Sequence, residues 1–168
     1  YRNLGSLQVQ AVSTKATYKG NVSTFIYGLE SDHFRMLSYK TKESQSTPKR
    51  QQVRYFGIPA WRWNNSVSAG IKDHTGTLTA RTIGKQGQDP EDTSEVERNT
   101  RLGEYTEYDF VYSGELPTDT SLELGVSNIM DTLGGLTVSS EIGTETNVDN
   151  SLYQYTGRSY FAKLTQRF

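Results

Sequence analysis

The chain has 168 residues, a formal net charge of -1, two His and no Cys. These numbers exclude disulfides, thiolate metal sites and Cys nucleophiles, leave little for a histidine metal centre, and give no basic field for nucleic acid. No run approaches the roughly 18 apolar residues of a membrane helix. Position 1 is not Met and no charged-then-apolar leader follows, so the chain is expected to be mature, trimmed or the ordered part of something longer.

Only 33% of the residues are hydrophobic, yet there are 11 Tyr, 6 Phe and 2 Trp. That balance suits a sheet with one wet face and one face in lipid, where half of each strand is polar. In chain order, residues 8–18 and 22–42 read as strands with loosely divided faces, joined at Lys19-Gly20-Asn21. The clearest strand is 61–72. Trp61, Trp63, Val67, Ala69 and Ile71 share one parity, and Arg62, Asn64, Ser66, Ser68 and Lys72 the other. A period of two over twelve residues is a strand with one apolar face. A turn around Asp73-His74-Thr75-Gly76 leads to a strand at 77–85. In 105–116, Tyr108, Phe110, Tyr112 and Leu116 oppose Glu107, Asp109, Ser113 and Glu115. A Pro117-containing turn leads to 121–130, where Leu122, Leu124, Val126 and Met130 oppose Ser121, Glu123 and Ser127. In 157–168, Tyr160, Ala162, Leu164 and Phe168 oppose Ser159, Lys163, Thr165 and Arg167.

The short connections carry Gly, Asn, Asp or Pro, as hairpin turns require. They alternate with long connections at 43–60, 86–104 and 131–156. Short turns at one end and long loops at the other are the asymmetry of an outer-membrane barrel. The expected fold is therefore all-β, an antiparallel transmembrane β-barrel. An aromatic C-terminus, Phe168, on the apolar face resembles the assembly signal of such barrels.

Four stretches carry a family resemblance. LPTDTSLELGVSNIMD (116–131) resembles the penultimate strand of TonB-dependent outer-membrane receptors, through Gly125, Val126, Asn128 and Asp131. TGRSYFAKLTQRF (156–168) is similar to their final strand, through Gly157, Arg158, Tyr160, Phe161 and Phe168. GIPAWRWNNSVSAGIKDHTGTLTARTIGKQ (57–86) resembles an earlier strand pair, with Ile83-Gly84 matching and Thr82 replacing an aromatic. NLGSLQVQAVSTKATY (3–18) resembles a preceding strand. The resemblance implies that residues 1–168 are about seven C-terminal strands of a larger barrel of about 22 strands. The plug and earlier strands would lie elsewhere, in the same protein or a separate chain. It further implies a Gram-negative outer-membrane location and import of a scarce ligand (siderophore, cobalamin or saccharide) driven by TonB through the plug. The expected partners are the remaining barrel strands, the plug, TonB, the bilayer, the assembly machinery at Phe168, and a small-molecule or glycan ligand. No cofactor and no enzymatic activity are expected. The alternatives are a complete small outer-membrane barrel with a structural or adhesive role, and a soluble β-sandwich that binds carbohydrate.

The polar parity carries Arg62, Asn64, Arg81, Glu107, Asp109, Glu123, Lys163 and Arg167. Of these, Arg62, Asn64, Arg81, Glu107 and Asp109, together with Tyr105 at a strand end, are the candidate substrate-binding residues. The competing reading is solvated wall residues and wall-to-wall ion pairs. Glu107 and Asp109, two apart on one face, have a spacing compatible with acid/base work, though carboxylates on a wet wall need no catalysis. Trp61, Trp63 and Tyr108 face the apolar side and fit an interfacial girdle. The acidic stretch Asp89, Glu91, Asp92, Glu95, Glu97 offers oxygen ligands without the order of a calcium loop. Loop 131–156, with Gly134-Gly135, is either a ligand-gripping loop or a flexible hairpin extension. His33 and His74 are isolated in sequence, so no metal site is expected.

Overall fold

The computed structural model describes residues 5–42, 46, 48–87, 101–117, 119–135, 152–153 and 156–166. Among these residues eight strands form one sheet: β1 (Ser6–Val22), β2 (Phe25–Lys42), β3 (Arg50–Gln51), β4 (Trp61–Ile71), β5 (His74–Ile83), β6 (Tyr105–Leu116), β7 (Thr120–Ser127) and β8 (Ser159–Gln166). The order is β1-β2-β4-β5-β6-β7-β8, with the two-residue β3 set against β2. Every pairing is antiparallel.

The sheet is open. Among the described residues β1 pairs only with β2, and β8 only with β7. The expected transmembrane β-barrel is therefore corrected to an open eight-stranded antiparallel sheet, and the reading as seven strands of a 22-stranded wall falls with it. The physical reason is that alternation specifies a strand and its two faces but not closure. Closure needs strand tilt, register stagger and a partner for each edge, and none of these is a property of a single segment. No helix among the described residues is long and apolar enough to cross a membrane.

Local differences have identifiable causes. β1 continues through Lys19-Gly20-Asn21, and the turn falls at Ser23-Thr24, with Ser23 at φ 56°. Gly20 is a strand residue opposite Tyr27, whose ring lies over it: a Cβ there would stand 2.4 Å from the Tyr27 hydroxyl. Gly125 similarly makes room for Phe161 across the β7–β8 ladder. β5 begins at His74, leaving a two-residue turn at Lys72-Asp73, with Lys72 at φ 53°. β7 ends at Ser127, because Asn128 turns the chain into the left-handed region at φ 53°. Phe168, the expected assembly signal, lies outside the described residues.

Register makes the two faces distinct. Tyr18, Leu29, Val67, Leu78, Phe110, Val126 and Tyr160 are successive partners in one row across all seven long strands. Three residues along, Lys15, Asp32, Asn64, Arg81 and Glu107 form a row on the opposite face. The buried cluster of Ile83, Leu102, Tyr105 and Tyr153, with Phe56 and Leu152 against it, sits on the polar side where loops fold over the ends of β5 and β6. The apolar row stays largely exposed, Leu78 at 44% and Tyr160 at 71%.

Candidate polar site

Three adjacent strands set the site. Asn64, Arg81 and Glu107 are direct neighbours across β4, β5 and β6, and Arg62, Ile83 and Tyr105 form the next row. Period-two alternation places all of these side chains on one face. Arg62, Asn64, Arg81, Tyr105 and Glu107 line one open cavity of about 410 Å³, together with Asp32, Phe34 and Ser13 from β2 and β1. Asp109 does not line the cavity and joins it through Arg81.

The framework is a closed circuit of charge-assisted contacts. The Arg81 guanidinium donates to Glu107 Oε1 and stands 2.7 Å from Asp109 Oδ2. The Tyr105 hydroxyl lies 2.9 Å from Glu107 Oε2 and 3.2 Å from the Thr132 carbonyl, its one proton shared between the two acceptors. The Asn128 amide donates to that carbonyl at 2.8 Å and accepts from the Thr132 N–H at 2.9 Å. The Asn128 backbone N–H donates to Asp109 Oδ1 at 2.8 Å, which completes the circuit. Behind it, the Tyr153 ring meets Tyr105 edge-on at 5.2 Å, and Tyr153 Oη accepts from Gln86 Nε2 at 2.6 Å. Gln86 Oε1 accepts from the Gly57 N–H at 2.8 Å.

Burial works against the charge of Arg81, but the Glu107 hydrogen bond and the Asp109 and Glu107 charges outweigh it and raise its pKa. Tyr105 is raised well above its ordinary value of 10.0, first by burial, then by its hydrogen bond to Glu107 and that carboxylate's charge. A tyrosine whose folded pKa is raised keeps its proton in the folded state where the unfolded chain has lost it. Its contribution to stability is complete below about pH 10 and falls as pH rises toward the folded value. Alkaline titration followed at 295 nm should show one tyrosine ionising only together with unfolding. Tyr105→Phe should remove that component and flatten the alkaline loss of stability. A Tyr105 that titrates with the exposed tyrosines would contradict the geometry.

With these contacts, Glu107 and Asp109 are held by Arg81, Tyr105 and Asn128 rather than presented for proton transfer. Arg62 is different. Its guanidinium lies 5.0 Å from the centre of the Phe34 ring and pairs with no carboxylate among the described residues. Asn64 and Asp32 flank it without a hydrogen-bond partner among those residues. The cavity thus has a floor whose charged groups engage one another, one guanidinium between two carboxylates, and a small set of polar groups still available.

The other candidates do not converge on it. Glu123 and Lys163 are partners across β7 and β8 and line a separate polar cleft. His33 meets Trp63 edge-on at 5.9 Å, and His74 Nδ1 is 2.7 Å from the Tyr112 hydroxyl. Trp63 and Tyr108 lie on the apolar face, and Trp63 Nε1 donates to Ser31 Oγ at 2.8 Å. Among the described residues no group of three or more His, Asp or Glu side chains could hold a metal ion. The acidic stretch 89–97, Arg167 and most of loop 131–156 lie outside the described residues.

Asn128, Gln86, Tyr153, Asp32 and Phe34 escaped the site reading of the sequence. Asn128 alone had a local signal, a left-handed-tolerant residue directly after an alternating strand. Gln86 and Tyr153 are 67 positions apart and meet only in the folded chain.

No family model matches the chain, and neither a curated protein nor a solved structure matches it. The resemblance to TonB-dependent receptors is corrected on that ground. TonB-driven import and the outer-membrane location rested on a closed barrel and on that family. With an open sheet and no matching family, both are corrected as well, and so are their expected partners. Among the described residues no strand beyond β1 or β8 joins the sheet, and no family match brings a plug, TonB or assembly machinery with it.

Proposed function

We propose that the sheet is a non-catalytic recognition module that binds a carboxylate on an acidic segment of a protein partner at the Arg62 end of the cavity. The observation that carries this reading is the contrast between two arginines on one face. Arg81 is saturated by two carboxylates, whereas Arg62 is held over Phe34 with its donors uncommitted among the described residues. Stacking orients the planar fork, which matches a carboxylate bidentately, and the Asn64 amide two residues along adds a further donor. Asp32 disfavours a doubly anionic group placed deep in the cavity, so a single carboxylate is the better fit. The absence of catalysis is part of the proposal. It is supported by the engagement of Glu107 and Asp109 in the circuit, which leaves no free acid and base facing each other.

The site is open, so binding is expected to be weak and salt-sensitive. An acetylated Glu-Glu peptide should shift the Arg62 Nε–Hε resonance in a saturable way, and the Gln-Gln peptide should not. Arg62→Ala should weaken binding at least tenfold, and Phe34→Leu by a smaller factor. Equal binding of the two peptides, or unchanged binding by Arg62→Ala, would sink the reading.

A further inference from the structure

The face opposite the cavity supports a second, independent inference. On β4 to β8 every residue that shares a face with Val67, Leu78 and Phe110 is uncharged. The row through these residues is apolar from Tyr18 to Tyr160 and stays exposed. Antiparallel sheets are stable when one apolar face is buried against another layer. The described residues supply only one layer.

We propose that this face is covered by the same face of a second copy of the chain, giving a face-to-face sandwich of two open sheets. Seven strands spaced about 4.8 Å apart span about 29 Å, and eight residues at about 3.4 Å each span about 27 Å. The footprint is about 800 Å², the area that each partner contributes to a standard stable interface. A two-fold interface needs a patch that complements itself. Within eight residues along the strands around the Leu29-Val67-Leu78 row, this face carries no charged side chain on any of the seven strands; Arg35 of β2 shares the face but lies beyond that span, beside Trp61. Such a patch sets no like charges against each other, and each chain carries a net charge of only -1. Two such faces pack about 10 Å apart with their strands inclined by about 30°. In that arrangement the cavity at Arg62 remains on the outside of each layer.

The test uses the full chain in detergent-free buffer. Sedimentation equilibrium should show a monomer–dimer equilibrium, with Leu78→Lys raising the dissociation constant at least tenfold. Because a charged substitution can also impair folding, a second measurement reads the geometry directly. The chain has no Cys, so Leu78→Cys and Thr77→Cys each introduce one thiol, on the apolar and polar faces respectively. A bifunctional maleimide should join Leu78→Cys copies into covalent dimers and leave Thr77→Cys monomeric on a denaturing gel. A chain that stays monomeric at all concentrations would overturn the proposal. So would a chain kept monomeric in solution only by detergent or lipid, or one that cross-links equally through both positions.

Discussion

Arg81→Met is expected to destabilise the fold by about 3 kcal/mol, the lower end of the cost of leaving a buried carboxylate without its partner. Glu107 keeps only 4% of its side-chain surface exposed and Asp109 only 14%, and the two lie two residues apart on one face. Without the guanidinium they repel each other beneath the loops that cover Tyr105. Arg81 itself is 42% exposed, which is why the lower figure applies. Arg81→Met combined with Glu107→Gln should recover a large part of the loss, because the damage comes from an uncompensated charge rather than from lost packing. Arg81→Lys should rescue little, since an ammonium is a poor substitute for a planar fork that reaches two carboxylates. Urea unfolding of the three variants checks this. A loss below about 1 kcal/mol for Arg81→Met would reduce the pair to an ordinary surface salt bridge.

Asn128→Ala is the second large effect, at about 3 kcal/mol. Asn128 is fully buried, at 0% exposure, and sits at φ 53°. Its side chain satisfies both the N–H and the carbonyl of Thr132. Truncation leaves buried polar groups without partners, at about 1–3 kcal/mol. It also puts alanine in the left-handed region without the local side-chain hydrogen bonds that let asparagine tolerate it, where the β-carbon clash costs about 1–2 kcal/mol. Asn128→Gly removes only the first part, so it should lose less than Asn128→Ala in the same urea experiment. Equal losses would assign the whole cost to the hydrogen bonds. Both variants should loosen the turn that carries the Thr132 carbonyl toward Tyr105, and so weaken the wall of the cavity.

Much of this architecture was legible in the residues. The alternation in 61–72 and 105–116 matches β4 and β6 within a residue at each boundary. It also placed Arg62, Asn64, Arg81, Glu107 and Asp109 on one face, because a strand's period of two leaves side chains no other choice. The turn expected at Lys19-Gly20-Asn21 lies instead at Ser23-Thr24, because glycine serves two purposes. Here it yields space to Tyr27 rather than bending the chain. β3 was missed because two residues hold no period.

The barrel was the larger error. The alternation of loop lengths, the aromatic content and the ordered motifs are all local, and an open sheet satisfies each of them. Closure needs a partner strand for each edge, here β1 and β8, and no segment encodes that partner by itself.

Alternation and turn chemistry alone establish that this chain is antiparallel β, which residues of a strand share a face, and that one face is charged while the other is apolar. Nearest-neighbour geometry and side-chain chemistry suffice for those properties. The open sheet, and the saturation of Arg81 but not Arg62 by Glu107 and Asp109, arise from tertiary contacts. They also close the circuit through Asn128 and Thr132, and bring Gln86 to Tyr153 behind Tyr105. These are contacts between distant positions, set by register and by the path of the loops, and they are where the candidate site acquires its chemistry.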